Sequence, residues 1–166
     1  MNDKFIIRDV RESELETIAK IEEECFPAAE AAGLADFKER FKTCVGSFFA
    51  AEDTDGALMG FCNGACSEGT NLTDDFYHET TKHVAEGPYQ MIFGLDTLPK
   101  YQGRGVGSAL MKHMIESARQ RGKKAVILTC KERMIPFYEK IGYEFVEKAD
   151  SNHGGAVWYK MIYRLQ

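Results

Sequence analysis

The sequence predicts an α/β protein, a mixed sheet carrying helices on both faces. Three stretches carry that expectation. Ala125 to Cys130, AVILTC, is an unbroken apolar run, as a strand covered on both sides requires. Met91 to Gly122 passes from an apolar, strand-like run through a glycine-rich turn into an amphipathic helix. Ser47 to Glu52 and Ala57 to Ala65 are strand-like segments joined by Asp53-Thr54-Asp55-Gly56, a hairpin turn.

The remaining elements follow in order. Lys4 to Val10 alternates as a strand, and Ser13 with Glu16 has the capping-box spacing that opens a helix. That helix buries Leu15, Ile18, Ala19 and Ile21 and runs into Phe26-Pro27. Asp36 to Cys44 forms a second short helix, with Phe37 and Phe41 one turn apart. Residues 66–87 are polar and acidic, with a short helix expected near Asp74 to His83 and a lid over substrate as their role. Lys131 to Ile141 is a helix with Pro136 in its first turns, stopped by Gly142. Tyr143 to Glu147 and Ala156 to Tyr163 close the sheet. The order is β-α-α-β-β-β-α-β-α-β-β.

A chain of 166 residues can bury about 70% of its unfolded surface in one core, so residues 1–166 are expected to form a single domain. The net charge of −5, without a basic stripe, argues against nucleic acid as partner. No apolar run approaches the ~20 residues a bilayer demands. The charged start MNDKFIIRDV does not read as a signal peptide, so a cytoplasmic protein without a membrane partner is expected. Five cysteines without a C-x-x-C pair, and four scattered histidines, form neither a disulfide framework nor a zinc spacing. Reduced, buried thiols and no metal are expected.

The glycine turn is where chemistry enters. Gly103, Gly105 and Gly107 alternate just before a helix carrying Val106, Leu110, Met114 and Ala118 on one face. Glycines let backbone N–H groups converge on phosphate, and the helix start adds partial positive charge. That dipole contributes only roughly 0.3–1 kcal/mol, so several N–H groups and Arg104 must act together. A P-loop would need a wider glycine spacing and a Lys. A dinucleotide turn would need its glycine directly after the strand and an acid about 20 residues on. Here Leu98 to Gln102 intervene, and Glu132 lies 29 residues after Gly103. The pattern that fits is [QR]-x-x-G-x-[GA], through Gln102, Gly105 and Gly107.

That segment resembles the acyl-CoA pyrophosphate loop of the GNAT N-acetyltransferases, whose element order is also the one read above. The resemblance implies a GNAT-like acyltransferase fold and acetyl-CoA, or CoA, as cosubstrate. It places Gln102, Gly103, Arg104, Gly105, Val106 and Gly107 on the cofactor, and Leu95, Asp96 and Thr97 along the pantetheine arm. Leu95 would offer a backbone N–H to the oxyanion. A second block, CKERMIPFYEKIGYEFV from Cys130 to Val146, is similar to the serotonin (arylalkylamine) N-acetyltransferases, and it implies Tyr138 as general acid toward the leaving thiolate. Cys130 is read as a small buried hydrophobe, since direct transfer needs no acyl-enzyme.

An alkylamine of pKa ~10.4 is protonated at neutral pH by roughly a thousand to one, so its proton needs a route. Met91 and Phe93 stand where vertebrate serotonin acetyltransferases have two histidines, and neither accepts a proton. Glu30 and His153 are the replacement candidates, ahead of His78 and His83. Phe26, Phe61, Phe93 and Trp158 are candidates for an apolar acceptor pocket, with core packing the safer account of each. The reading is an acetyl-CoA-dependent N-acetyltransferase for a small-molecule primary amine, an arylalkylamine among them, working as a monomer or homodimer. The rivals are a transferase for a protein N-terminus, polyamine or antibiotic, and a CoA-binding protein with little turnover.

Overall fold

A computed structural model of the protein describes residues 4–71, 83–151 and 153–165. The expected order of elements is the observed one. It runs β1 (Phe5–Asp9), α1 (Leu15–Cys25), α2 (Leu34–Thr43), β2 (Phe48–Asp53), β3 (Leu58–Ser67), β4 (Tyr89–Thr97), α3 (Val106–Gln120), β5 (Ala125–Cys130), α4 (Ile135–Ile141), β6 (Glu144–Lys148) and β7 (Tyr159–Arg164). The seven strands lie in the order β1-β2-β3-β4-β5-β7-β6. Every neighbouring pair is antiparallel except β4 and β5. The expected helix near Asp74 to His83 lies outside the described residues apart from His83. Among the described residues, no helix is long and apolar enough to cross a membrane.

Each face of the sheet carries its own core. On one, Ile18 and Ile21 of α1 and Phe37 of α2 pack on Phe48 and Phe61, whose rings meet Phe37 at 6.0 and 5.5 Å. On the other, Leu110, Met111 and Met114 of α3 and Tyr138 of α4 pack on Val126, Leu128 and Met161. Phe61 is fully buried here, so it belongs to the core and not to an acceptor pocket.

Local corrections have local causes. The first helix is not opened by Ser13 and Glu16. A 3-10 turn, Glu12–Glu14, leads into α1, and the Arg11 N–H donates to Glu14 at 2.9 Å. Arg8 of β1 grips the same carboxylate at 2.9 and 2.7 Å and holds it below its usual range, so Glu14 is fixed by the sheet. Helix α2 starts two residues early because the Gly33 N–H finds Asp36 at 3.1 Å. Pro136 sits in the first turn of α4, after a 3-10 turn at Glu132–Met134. Strand β7 begins late, at Tyr159, because His153–Gly155 form a turn with Gly154 at φ +64°. Trp158 Nε1 folds back onto the His153 carbonyl at 2.9 Å.

Candidate active site

The site arises where two parallel strands part. β4 pairs with β5 only through Tyr89–Met91 against Ala125–Ile127. Against β3, Asn63 faces Gly94 but Gly64 faces Ile92, so Phe93 is an extra residue, a β-bulge. β3 holds β4 tightly on both sides of it. A Cβ on Gly60 would lie 2.2 Å from the Asp96 carbonyl, and one on Gly64 would lie 1.8 Å from that of Met91. Beyond the bulge, β4 bends away from β5 and a cavity of about 270 Å³ opens between them. Leu95 and Thr97 line it from β4, Thr129 and Cys130 from β5 and Tyr138 from α4, and the aromatic rings of Phe26, Phe93 and Trp158 line it too.

The glycine turn adjoins this cavity, and Gln102, which lines it, donates to the Thr97 carbonyl at 3.3 Å. Gly103 and Gly105 have φ of +79° and +81°, with nothing within 4 Å of where a Cβ would stand. Gly105 caps the 15-residue helix α3, its carbonyl accepting from Ala109 at 3.0 Å, and no side chain caps the helix start. Gly107 has a different reason to be glycine. A Cβ there would press on Phe137 of α4 at 3.4 Å and on Thr97 of β4 at 3.6 Å. Lys100 and Arg104 lie 5.1 and 5.6 Å from the Tyr101 ring beside the turn. Two left-handed glycines facing open space, an uncapped helix start and flanking cations suit a diphosphate. Val106 contributes only backbone, since its side chain is buried in the α3 core.

Tyr138 lies in the wall of the cavity, fixed by edge-to-face contacts with Phe137 and Tyr143 at 5.0 and 5.4 Å. Cys130 is there too, but burial pushes its thiol up to about 11, which leaves it a poor nucleophile at neutral pH. The structure brings Glu30 and His153 together, although 123 residues separate them: the His153 ring Nε2 lies 3.1 Å from the Glu30 carbonyl. A carbonyl only accepts, so Nε2 carries a hydrogen there. The Glu30 carboxylate is held by Lys131 at 2.8 Å, whose ammonium also lies 5.7 Å from the Trp158 ring. His83 points elsewhere. It accepts the Cys66 N–H at 2.9 Å, and burial, then Lys123 and Arg121, depress its pKa. His78 lies outside the described residues.

One polar group was not foreseen. Glu22, Arg40, Asn63 and Asp96 are all buried, and the first three line the cavity. Arg40 donates to Asn63 at 2.9 Å and lies 4.3 Å from the Phe93 ring. Asp96 stands opposite Phe61 in the ladder and so faces α1 and α2; Leu95 and Thr97 line the cavity and Asp96 does not. Burial, then the charge of Glu22, raises the Asp96 pKa well above the usual carboxylate range, against the pull of Arg40. The signal was in the spacing. Glu22 comes one helical turn after Ile18, and Arg40 three residues after Phe37, so both stand on buried faces. Among the described residues, no three His, Cys, Asp or Glu side chains converge as a metal site would require.

Comparison with known proteins gives this geometry a context. A family model described as the acetyltransferase (GNAT) family matches residues 15–143. A glucosamine 6-phosphate N-acetyltransferase of Trypanosoma brucei brucei is 42% identical over 50 residues, 30% of this chain and 34% of that protein. An uncharacterized N-acetyltransferase of Methanocaldococcus jannaschii is 29% identical over 132 residues, 78% of this chain and 50% of that protein. The chain thus spans half or less of either relative. Among solved structures, a GNAT-like decarboxylase in complex with isobutyryl-CoA superposes with a TM-score of 0.83 at 19% identity, covering 97% of this chain and 100% of that one. The loading GNAT-like domain of CurA from Lyngbya majuscula reaches 0.86 at 14%, covering 99% of each chain. An N-acetylglutamate synthase from Neisseria gonorrhoeae, complexed with coenzyme A and N-acetyl-glutamate, reaches 0.66 at 17%, covering 100% of this chain and 36% of that one. At such identities the likeness is one of fold.

Proposed function

This chain belongs to the acetyltransferase (GNAT) family, and we propose that it moves an acetyl group from acetyl-CoA to a primary amine by direct attack, residues 1–166 acting as one catalytic domain. The observation that carries the proposal is the parting of β4 from β5 beside the open glycine turn. Gln102 to Gly107 bind the diphosphate through main-chain N–H groups, helped by Arg104. Leu95 to Thr97, unpaired with β5, offer their backbone edge to the pantetheine arm. Bound acetyl-CoA supplies the thioester carbonyl, and the Leu95 N–H is placed to stabilise charge on its oxygen. Tyr138 donates a proton to the departing sulfur, a role worth roughly 10²–10⁴-fold. Cys130 takes no part.

Glu30, ion-paired with Lys131, and His153, whose Nε2 lies against the Glu30 carbonyl, keep their place as candidate proton acceptors. Phe26, Phe93 and Trp158 favour an aromatic or otherwise apolar amine, in line with the likeness of Cys130 to Val146 to the serotonin acetyltransferase group. Glu22, Glu24 and Glu30 in the same wall favour a second acceptor class, polyamines. The test is calorimetry with acetyl-CoA and CoA, followed by thiol release across arylalkylamines, polyamines, amino-terminal peptides and glucosamine 6-phosphate. Heat with both thiols but no thiol release from any amine would identify a CoA-binding protein; no heat at all would end the proposal.

A further inference from the structure

The acyl-transfer reading leaves the acceptor's first proton with two groups already engaged by neighbours, and the structure offers a third. Glu22 lines the cavity, is 7% exposed, and its Oε1 has no hydrogen-bond partner. Its other oxygen accepts the Ala32 N–H at 2.9 Å, which fixes the carboxylate at the end of α1. Behind it, Asp96 is 1% exposed, neither of its carboxyl oxygens has a hydrogen-bond partner, and burial, then the neighbouring Glu22 charge, raises its pKa. Two neighbouring buried carboxyl groups favour a single charge between them. The more deeply buried Asp96 favours its protonated form, and Glu22, anchored through the Ala32 N–H, is the member of the pair that lines the cavity.

We propose that Glu22 is the catalytic base that takes the proton of the acceptor ammonium, with the buried Asp96 behind it as the positioning residue. The proposal rests on the acyl-transfer reading. The other groups facing the pair are Cys25 and Glu24 on α1, Arg40 on α2, and Asn63 on β3. Cys25 competes poorly, since its thiol is pushed up to about 12 and donates to the Thr97 carbonyl at 3.4 Å. Arg40 opposes the acidity change at Asp96 without contributing a base. The chemistry balances. The ammonium gives one proton to Glu22, which returns it to solvent through the cavity mouth. The freed lone pair forms the nitrogen–carbon bond, and the carbon–sulfur bond breaks with its electrons on sulfur. Sulfur takes a proton from Tyr138, and the nitrogen's second proton restores the phenol. The acceptor class is therefore a protonated amine drawn to a buried negative wall.

The experiment compares wild type with Glu22→Gln and Asp96→Asn. Acetyl-CoA binding is measured by calorimetry, and thiol release is followed with tryptamine, spermidine and glucosamine 6-phosphate as probes across the neutral pH range. Glu22→Gln should bind acetyl-CoA as wild type does, lose about 10²–10³-fold in kcat, and lose the acid limb of the pH–rate profile. Asp96→Asn should keep most of the rate but displace that limb, an effect that a purely structural role would not produce. If wild type binds and turns over while Glu22→Gln keeps its kcat and its limb, the proposal is wrong and the acyl-transfer reading stands. Should Glu22→Gln fail to fold, an undisplaced limb in Asp96→Asn overturns it instead. Wild type that shows no acetyl-CoA heat, or no thiol release with any probe, overturns both readings together.

Discussion

Replacing Asp96 with Asn should flatten the dependence of stability on pH. In the native protein Asp96 is 1% exposed, and burial with the Glu22 charge raises its pKa well above 3.8. The folded state therefore holds a proton that the unfolded chain releases. The stabilisation is fully present below the unfolded value and is lost as pH rises through the folded one. Across that window wild type loses about 1.4 kcal/mol per pH unit from this residue alone. For a chain of this size that is roughly 3–6 °C in Tm per unit. His83 acts in the opposite sense near neutrality, because its pKa is depressed by burial. It does so equally in both proteins, so the difference between them isolates Asp96. The assay is thermal unfolding of wild type and Asp96→Asn in matched buffers from about pH 4.5 to 7.5. The two Tm curves should converge, or cross, as pH rises. Parallel curves would mean that Asp96 is ionised in the fold, and the carboxyl pair would be refuted.

Tyr138→Phe should leave the fold and acetyl-CoA affinity intact, since the ring contacts with Phe137 and Tyr143 survive, and lower kcat by roughly 10²-fold; an unchanged kcat would remove the acid assignment. Gly105→Val places a β-branched residue at φ +81°, a strain of about 1–3 kcal/mol, and the altered turn should bind acetyl-CoA too weakly for calorimetry to detect. Gly64→Ala drives a methyl into the Met91 carbonyl and should lower Tm by more than about 5 °C, as backbone separation costs several ladder hydrogen bonds. Burial raises the pKa of Cys25, Cys44, Cys62 and Cys130; Ellman's reagent at neutral pH should leave these four unmodified until denaturant is added, and rapid reaction at any of them would contradict the packing.

What was legible in the sequence was local. Periodicity places α1 and α3 because each must bury one stripe, and Ala125 to Cys130 reads as a central strand because both its faces are covered. The glycine turn was legible because positive φ selects glycine at 103 and 105. The misreadings occur where a partner outside the local stretch decides. Ser13 looks like a cap until Arg8, on a neighbouring strand, seizes Glu14. Phe61 could serve pocket or core in the sequence, and the Phe37 ring that meets it decides for the core. Glu22 sits in a run of three glutamates that suggests a wet surface, and only its spacing from Ile18 betrays burial. Met91 and Phe93 were correctly read as unable to relay a proton, but their own environments were not legible. One is sealed in the core and the other lies 4.3 Å from the Arg40 guanidinium.

The bulge at Phe93 connects these points. Side chains alternate along a strand, so an inserted residue exchanges the faces of everything after it. Ile92 packs with the α3 core, and strict alternation would send residues 94 and 96 to that same face. With Phe93 unmatched by β3, Leu95 packs there instead, Thr97 approaches Gly107, and Asp96 faces α1 opposite Phe61. Without the bulge an aspartate would be driven among the methionines of α3, where a buried charge has no partner. With it, the same aspartate meets Glu22. The bend that parts β4 from β5, and so makes room for a thioester, is thus also what delivers a carboxyl pair to the opposite wall. The proposed cofactor cleft and the proposed proton acceptor both follow from a single extra residue in one strand.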